Sequence, residues 1–366
     1  MTRDQALVLR PVALADLPAL ERIAAATADG ISSLPSDSQK LRVRIERSLQ
    51  AFGSLDDASG EETYLFVLED RARGEVVGCS GIAASAGFHD RFYSYRNEFV
   101  VHASAALGVS QRMHTLHLCH DLTGYTLLTS FFISPDYAQS LAPQLLSRAR
   151  LLFIMQYAER FNERIAAENP GLADEAGQSP FWDAVGRRFF DMDYPQAEQV
   201  TGGRSKAFIA DLMPHSPIYV PLLPEAAQFA IGQLHPVGEL PFSMLQDEGF
   251  DADTYIDIFD GGPTVEASLG LLRSVRQARR LSLHDEPLDH AQARAQALAQ
   301  GPLAWHIAVN ADRAGFRAVL AELPVNAMSL SRGHEVLARL GLNSTTGSAN
   351  LLVSVLGDEL NEGAQA

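Results

Sequence analysis

The sequence predicts an α+β fold in which helices flank a mixed β-sheet. Three observations support it: short apolar runs bounded by turn residues, amphipathic stretches at helical spacing, and the mixing of both along the chain. A sizeable core is expected, because 46% of the 366 residues are hydrophobic and 20% are charged. We expect a large domain over residues 1–285, a linker over 286–300 and a small C-terminal α+β domain over 301–366.

The first part of the chain is predicted to form a strand, two helices and a hairpin. Pro11 ends the first strand, and Asp16 can cap the helix that carries Leu20 and Ile23 on one face. Apolar runs on either side of the loop at 70–74 are typical of antiparallel strands joined by a tight connection. The predicted elements are strand 7–10, helices 16–24 and 36–52, and strands 62–69 and 76–84.

The middle of the chain alternates between strands and helices. Pro143 suits the first turn of a long helix, and Pro180 suits that of a second helix, which we expect to include Gly186. Gly249 is expected to end a third helix. The predicted elements are strand 127–133, a helix from 143 through 153, strand 164–168, a helix from 180, helix 241–247 and strand 255–259, closed by a turn at 260–263.

The C-terminal part begins after an Ala/Gln-rich stretch at 288–300 that ends at Gly301-Pro302. The predicted elements there are strands 305–310 and 316–323, helix 331–340 and strand 350–355. These four elements compose the expected small domain.

Charge and cysteine content exclude several classes of function. A formal charge of −16 and a pI of about 5.1 oppose binding to nucleic acid or to an anionic membrane surface, because both need a basic face. Cys79 and Cys119 are the only cysteines, which favours a reducing cytoplasm. The N-terminus has no leader pattern, and the apolar runs are too short to span a bilayer, so we expect an unprocessed protein without a membrane segment.

Several short motifs together resemble the arginine N-succinyltransferase family, over roughly residues 7–275. They are Ser179-Pro180-Phe181-Trp182 with Gly186 and Phe189-Phe190, Met213-Pro214, Pro217-Ile218-Tyr219, Gly232-Gln233-Leu234-His235-Pro236, and the run from Tyr255 to Thr264. The segments 92–98 and 119–124 look most like the α subunit of the two-subunit arginine/ornithine enzymes of this family. The order of elements is also similar to the GCN5-related N-acyltransferase fold.

The resemblance implies succinyl transfer from succinyl-CoA to the α-amine of L-arginine or L-ornithine, with succinyl-CoA as co-substrate and no further cofactor. It places the proton donor at His235 and a succinyl-CoA contact at Phe131. Histidine suits proton donation because its pKa lies near neutral pH. The structural alternatives are a His235 that only caps the turn before Pro236, and a Phe131 that only fills the core.

One segment departs from the acyltransferase pattern. Enzymes of this fold usually carry Arg/Gln-x-x-Gly-x-Gly/Ala where a helix start binds the pyrophosphate, and residues 139–144 here are Gln-Ser-Leu-Ala-Pro-Gln. Both glycines are missing, and Pro143 removes an amide donor. The competing hypothesis is therefore a noncatalytic subunit that supports a catalytic β-type homologue, and a β-type partner is expected in either case.

Other polar residues carry weaker signals. Glu98, Asp257 and Asp260 are candidates for binding the basic substrate, although solvated or turn-capping carboxylates are the more ordinary interpretation. His114, His117 and His120 are spaced by three, which puts His117 on the opposite face of a strand, so no metal site is predicted. Arg148 and Arg150 are expected on an exposed face of the long helix.

Overall fold

The computed structural model describes residues 3–26, 34–35, 37–201, 212–284, 301–342 and 351–357. Its strands form one sheet in the order β14-β11-β15-β12-β13-β1-β2-β3-β6-β7-β10-β9-β4-β5-β8. Neighbours are antiparallel except for the parallel pairs β6–β7 and β11–β14. The fold is thus a mixed α+β structure, as predicted. None of the described helices is both long and apolar enough to cross a membrane.

The strands are short apart from one long hairpin formed by β4 and β5. They are β1 Leu7–Pro11, β2 Thr63–Asp70, β3 Glu75–Ala83, β4 Ser94–Ser104, β5 Val109–Cys119, β6 Thr126–Ile133, β7 Arg164–Glu168, β8 Ile218–Tyr219, β9 Asp251–Ile256, β10 Pro263–Ser268, β11 Arg279–His284, β12 Leu303–Val309, β13 Ala318–Pro324, β14 Ser329–Ser331 and β15 Leu351–Val355.

The ten described α-helices include four of at least ten residues, and the first three of those four cover the centre of the sheet. The ten helices are α1 Leu17–Ala26, α2 Ser38–Gly53, α3 Ala142–Gln156, α4 Pro180–Ala184, α5 Arg187–Phe190, α6 Tyr194–Thr201, α7 Glu225–Ala230, α8 Glu239–Glu248, α9 Arg273–Arg276 and α10 Glu335–Arg339.

The centre of the sheet is buried on both faces. Along β2, Leu65 and Val67 pack towards α1 and α2, whereas Phe66 and Leu68 pack towards α3. Successive side chains of a strand point to opposite faces, so a strand covered on both sides needs a continuous apolar run. This requirement explains the apolar run at 64–68. The antiparallel pairing of β2 with β3 confirms the predicted hairpin.

The C-terminal strands continue the main sheet. β13 pairs with β1 in antiparallel register, with Val8 opposite Val319, and β12 and β15 follow on its far side. The predicted linker at 286–300 lies outside the described residues. The division of the chain into two domains stays a prediction, and the strand pairing places the C-terminal strands at the edge of the same sheet.

Some predicted elements were misplaced. The strand predicted at 255–259 is β9, which spans Asp251–Ile256, because the Asp257 carboxylate accepts the amide of Phe259 and turns the chain there. The helix predicted at 331–340 is only α10, Glu335–Arg339, and residue 331 belongs to β14. Gly186 lies just after α4 instead of within it.

Candidate active site

A bulge interrupts β6 at Ser130. Its φ of 56° is a left-handed conformation that is uncommon for a residue other than glycine, and the register with β3 shifts between Cys79 and Gly81. From α2, Arg44 donates to the hydroxyl of Ser130 and, at 3.4 Å, to that of Thr129. A guanidinium therefore helps to hold the bulge in place.

A gap opens between β6 and β7 beyond their first paired residues. The two parallel strands pair only through residues 126–127 of β6 and 165–166 of β7, although β6 continues to Ile133 and β7 to Glu168. Within the described chain, the later half of β6 has a neighbouring strand on one side, namely β3. This unpaired stretch, called the gap, lies towards the carboxyl ends of both strands and offers a backbone edge to a peptide-like chain.

Phe131 follows the bulge on this edge. Its half-buried ring packs against the core layer of α3, and the Arg150 guanidinium carbon lies 5.7 Å from the ring centroid. Phe131 can therefore pack in the core and border the gap at the same time. Its contact with succinyl-CoA stays a prediction.

His235 lies in the loop after α7, and the segment following β7 fixes its backbone. The His235 amide donates to the Pro170 carbonyl at 2.8 Å, and Leu234 forms a β-bridge with Gly171. The Nδ1 atom of His235 accepts the Val237 amide at 3.3 Å. With Nδ1 as acceptor, the neutral ring carries its proton on Nε2, which leaves Nε2 as the atom available for chemistry.

The chain direction puts the backbone of His235 near the carboxyl ends of β6 and β7. Pro170 and Gly171 come directly after β7 ends at Glu168, and β6 ends on the same side because the two strands are parallel. The backbone of His235 therefore lies on the side where β6 and β7 no longer pair, and its side chain is half-buried. Its assignment as the proton donor stays a prediction.

Asp257 and Asp260 are buried and bind their own turn. Asp260 accepts the Gly171 amide at 2.7 Å and the Gly262 amide at 2.8 Å, and the Tyr194 hydroxyl lies 3.4 Å away. The Asp257 carboxylate accepts the Phe259 amide at 2.6 Å. These bonds support the turn-capping interpretation, and a substrate contact stays a prediction for both carboxylates.

Glu98 belongs to a half-exposed charged cluster on the β4–β5 hairpin. Arg96 forms ion pairs with Glu98 and, at 2.7 Å, with Asp121, and the Tyr255 hydroxyl lies 3.4 Å from the same Asp121 oxygen. His117 lies 3.6 Å from Glu98. The contacts described for Glu98 are within this cluster, so the structure does not bring it together with Asp257 and Asp260. Its role in substrate binding stays a prediction.

The three histidines with a spacing of three have separate surroundings. His114 contacts the Asn97 side chain and stacks on Phe99, and His120 meets Tyr93 edge-on at 6.2 Å between centroids. Burial lowers the pKa of His114. Among the described residues, no three His, Cys, Asp or Glu side chains are grouped so that they could hold a metal ion.

The start of α3 uses some of its own amides. The Leu141 amide donates to the Asp4 carboxylate at 3.3 Å, and the Ala142 amide donates to the Ser140 hydroxyl at 3.1 Å. Pro143 contributes none. A pyrophosphate at this helix start would therefore meet one carboxylate and fewer amide donors than the usual glycine-rich loop supplies.

The prediction of exposed arginines on α3 was wrong. Arg148 is 1% exposed and Arg150 is 3% exposed. Glu248 lies 3.0 Å from the Arg148 guanidinium, and this pair buries the charge between α3 and α8. A charged residue on a helix is expected to face solvent, and no local sequence pattern around Arg148 or Arg150 indicates that they are buried.

Residues 7–274 match a family described as the arginine N-succinyltransferase beta subunit. The α subunit of arginine N-succinyltransferase from Pseudomonas aeruginosa is 53% identical over 273 residues, which cover 75% of this chain and 81% of that protein. The β subunit from the same organism is 43% identical over 277 residues, which cover 76% and 81%.

The fold is also that of a solved relative. The structure of the arginine/ornithine succinyltransferase subunit AI from Pseudomonas aeruginosa matches 97% of this chain and 100% of that chain, with 42% identity and a TM-score of 0.81. The similarity covers most of both chains in sequence and in structure. This chain belongs to the arginine N-succinyltransferase family.

Proposed function

We propose that this chain is an α-type subunit of an arginine/ornithine N-succinyltransferase, moving succinyl from succinyl-CoA to the α-amine of L-arginine or L-ornithine in arginine catabolism. The observation that carries the proposal is the backbone bond from His235 to Pro170, which ties the His235 backbone to the segment after β7, at the end where β6 and β7 no longer pair. The relatives named for this activity support the substrate class.

The proposed reaction is a direct transfer without a covalent enzyme intermediate. The amine, after losing its ammonium proton to solvent, forms a C–N bond with the thioester carbonyl carbon, and the bonded nitrogen then loses a second proton to solvent. The C–S bond then breaks, and the departing thiolate takes a proton from Nε2 of His235. Proton donation from Nε2 requires the imidazolium form, in which Nδ1 also carries a proton and can no longer accept the Val237 amide. The hydrogen bond that is lost is a single weak one of 3.3 Å.

The gap beside β6 suits the arm of coenzyme A. Its pantetheine arm contains amide groups, which can pair with the strand edge beyond residue 127 as a peptide would. Phe131 then lies beside the acyl end. A strand bulge, a gap and a following helix in this order support the GCN5-related N-acyltransferase-like arrangement that the sequence predicts.

The second candidate is a noncatalytic subunit that supports a catalytic β-type homologue. The Asp4 carboxylate at the start of α3 favours it, because an acidic group there opposes pyrophosphate binding. In both cases the expected partner is a β-type succinyltransferase subunit, as the α and β names of the relatives suggest.

Both cysteines are free thiols, which supports our assignment to the cytoplasm.

Equilibrium dialysis with succinyl-CoA separates the two candidates. The isolated chain and the chain with a β-type partner are dialysed separately, and product formation from L-arginine and from L-ornithine is followed by mass spectrometry. Saturable binding by the isolated chain, with succinylated product in at least one setting, supports the enzyme. A lack of binding by the isolated chain, with binding and turnover only when the partner is present, supports the noncatalytic subunit.

A further inference from the structure

The charge of Arg150 is buried without a carboxylate partner among the described residues. Its Nε donates to the Ser147 carbonyl at 3.2 Å, and its terminal nitrogens lie 3.4 Å from the Ser147 hydroxyl and 3.5 Å from the Gly81 carbonyl. All three acceptors are neutral. Burial lowers the pKa of Arg150 to about 9, which reflects a poorly solvated cation.

Two other buried arginines of this chain have counter-charges. Arg148 is paired with Glu248 at 3.0 Å, and Arg160 lies 3.5 Å from Glu62 and donates to the Tyr64 hydroxyl at 2.8 Å. A buried cation is costly unless an anion compensates it. Arg150 therefore differs from these two, because no carboxylate among the described residues forms an ion pair with it.

The position of Arg150 points to the gap beside β6. Its guanidinium carbon lies 5.7 Å from the Phe131 ring centroid, and the Gly81 carbonyl it approaches belongs to the residue opposite Thr129 in the β3–β6 register. Arg44 reaches the same bulge through Thr129 and Ser130. Arg44 from α2 and Arg150 from α3 thus approach the region of the bulge from the two faces of the sheet.

We propose that Arg150, assisted by the positive charge of Arg44, binds the terminal carboxylate of the succinyl group and so selects a dicarboxylic acyl donor. This inference rests on the proposed function. A succinyl group carries its carboxylate a short ethylene spacer away from the thioester carbonyl, so an acyl end beside Phe131 brings that carboxylate within reach of the bulge. The planar guanidinium suits a carboxylate, whereas an uncharged acyl chain would leave the cation uncompensated.

The first test needs no variant. Isothermal titration compares succinyl-CoA with butyryl-CoA, which has a methyl group in place of the carboxylate, on the chain assembled with its β-type partner. We expect succinyl-CoA to bind about 10- to 100-fold more tightly, the range that a charge-assisted hydrogen bond provides. Equal affinity for the two thioesters would overturn the inference and leave the proposed function standing. Binding of neither thioester would overturn both.

The second test uses Arg150→Met with Arg339→Met as its matched control. Arg339 is also buried and also has its pKa lowered by burial, but it lies on α10 and donates to the Leu320 carbonyl. In Arg150→Met we expect the succinyl-to-butyryl ratio of kcat/KM to fall at least tenfold, and in Arg339→Met we expect no change in that ratio. An unchanged ratio in folded Arg150→Met contradicts the assignment. If that variant does not fold, the titration of the wild-type chain decides.

Discussion

The Asp260 carboxylate accepts the Gly171 amide at 2.7 Å and thereby joins the turn after β9 to the segment after β7. Gly171 forms the β-bridge with Leu234, the residue before His235. A Cβ at Gly171 would lie 2.7 Å from the Asp260 carbonyl oxygen, so the approach requires glycine. One buried carboxylate thus supports the backbone that carries the proposed proton donor.

Asp260→Asn should lower stability and activity together. The asparagine side chain keeps one acceptor oxygen, but its NH2 group now faces a backbone N–H that the second carboxylate oxygen accepted before. We therefore expect a loss of about 1–3 kcal/mol in the free energy of unfolding, measured in urea. Displacement of the His235 loop should lower kcat more than it raises KM for arginine. Asp174→Asn is the control and should be nearly neutral, because Asp174 lies in an exposed loop and, like Asp260, accepts the amide two residues ahead. A raised KM with unchanged stability would instead identify Asp260 as a substrate ligand.

Gly186→Ala should destabilise the fold although the backbone of Gly186 is ordinary. Its φ is −61°, but an added Cβ would lie 2.1 Å from the fully buried ring of Trp182. We expect a loss of about 2 kcal/mol or more in the free energy of unfolding, as for overpacked cores. Gly53→Ala is the control, since a Cβ there meets no atom within 4 Å at the end of α2, and it should gain about 0.5 kcal/mol. Equal effects in the two variants would contradict the packing account.

Cys79 should make stability fall at alkaline pH. Burial raises the pKa of its thiol from 9.0 to about 12, with the charges of Arg44 and Arg150 opposing the rise. The folded chain then keeps a proton that the unfolded chain releases, so this contribution is fully present below pH 9 and is lost as pH rises from 9 to about 12. We expect Cys79→Val to flatten the dependence of the unfolding free energy on pH by up to about 1.4 kcal/mol per unit, measured by urea titration at pH 7, 9 and 10.5. An unchanged slope relative to the wild-type chain would refute it.

The elements covered on both faces were predictable from the sequence. The strand at 164–168 was predicted with the bounds it has, and α3 begins beside the predicted Pro143, because buried runs and first-turn prolines are strong local signals. The β4–β5 hairpin gave no such signal. Phe99 and Val101 are more than half exposed there, and cross-strand pairing from Ser94–Cys119 to Ser104–Val109 holds the strands together.

The candidate site was predictable only in part. The Gly-Gln-x-His-Pro motif pointed to His235, since a motif is local in sequence. The bulge at Ser130 and the burial of Arg150 depend on how β3, β6 and α3 pack, which no residue pattern along one segment encodes. Asp4, remote from residue 141 in the chain, likewise reaches the start of α3 only after folding.

The most direct test of the central claim is thiol release from succinyl-CoA in the presence of arginine, with and without His235→Ala. It is measured on the purified chain alone and with a β-type partner. The control is His334→Ala, because His334 also accepts, through Nδ1, the amide two residues ahead at 3.3 Å but lies next to α10. We predict that His235→Ala lowers kcat at least 100-fold, the scale of general acid catalysis, while His334→Ala leaves it unchanged. Full activity of His235→Ala, in the setting where the wild-type chain is active, would contradict the account.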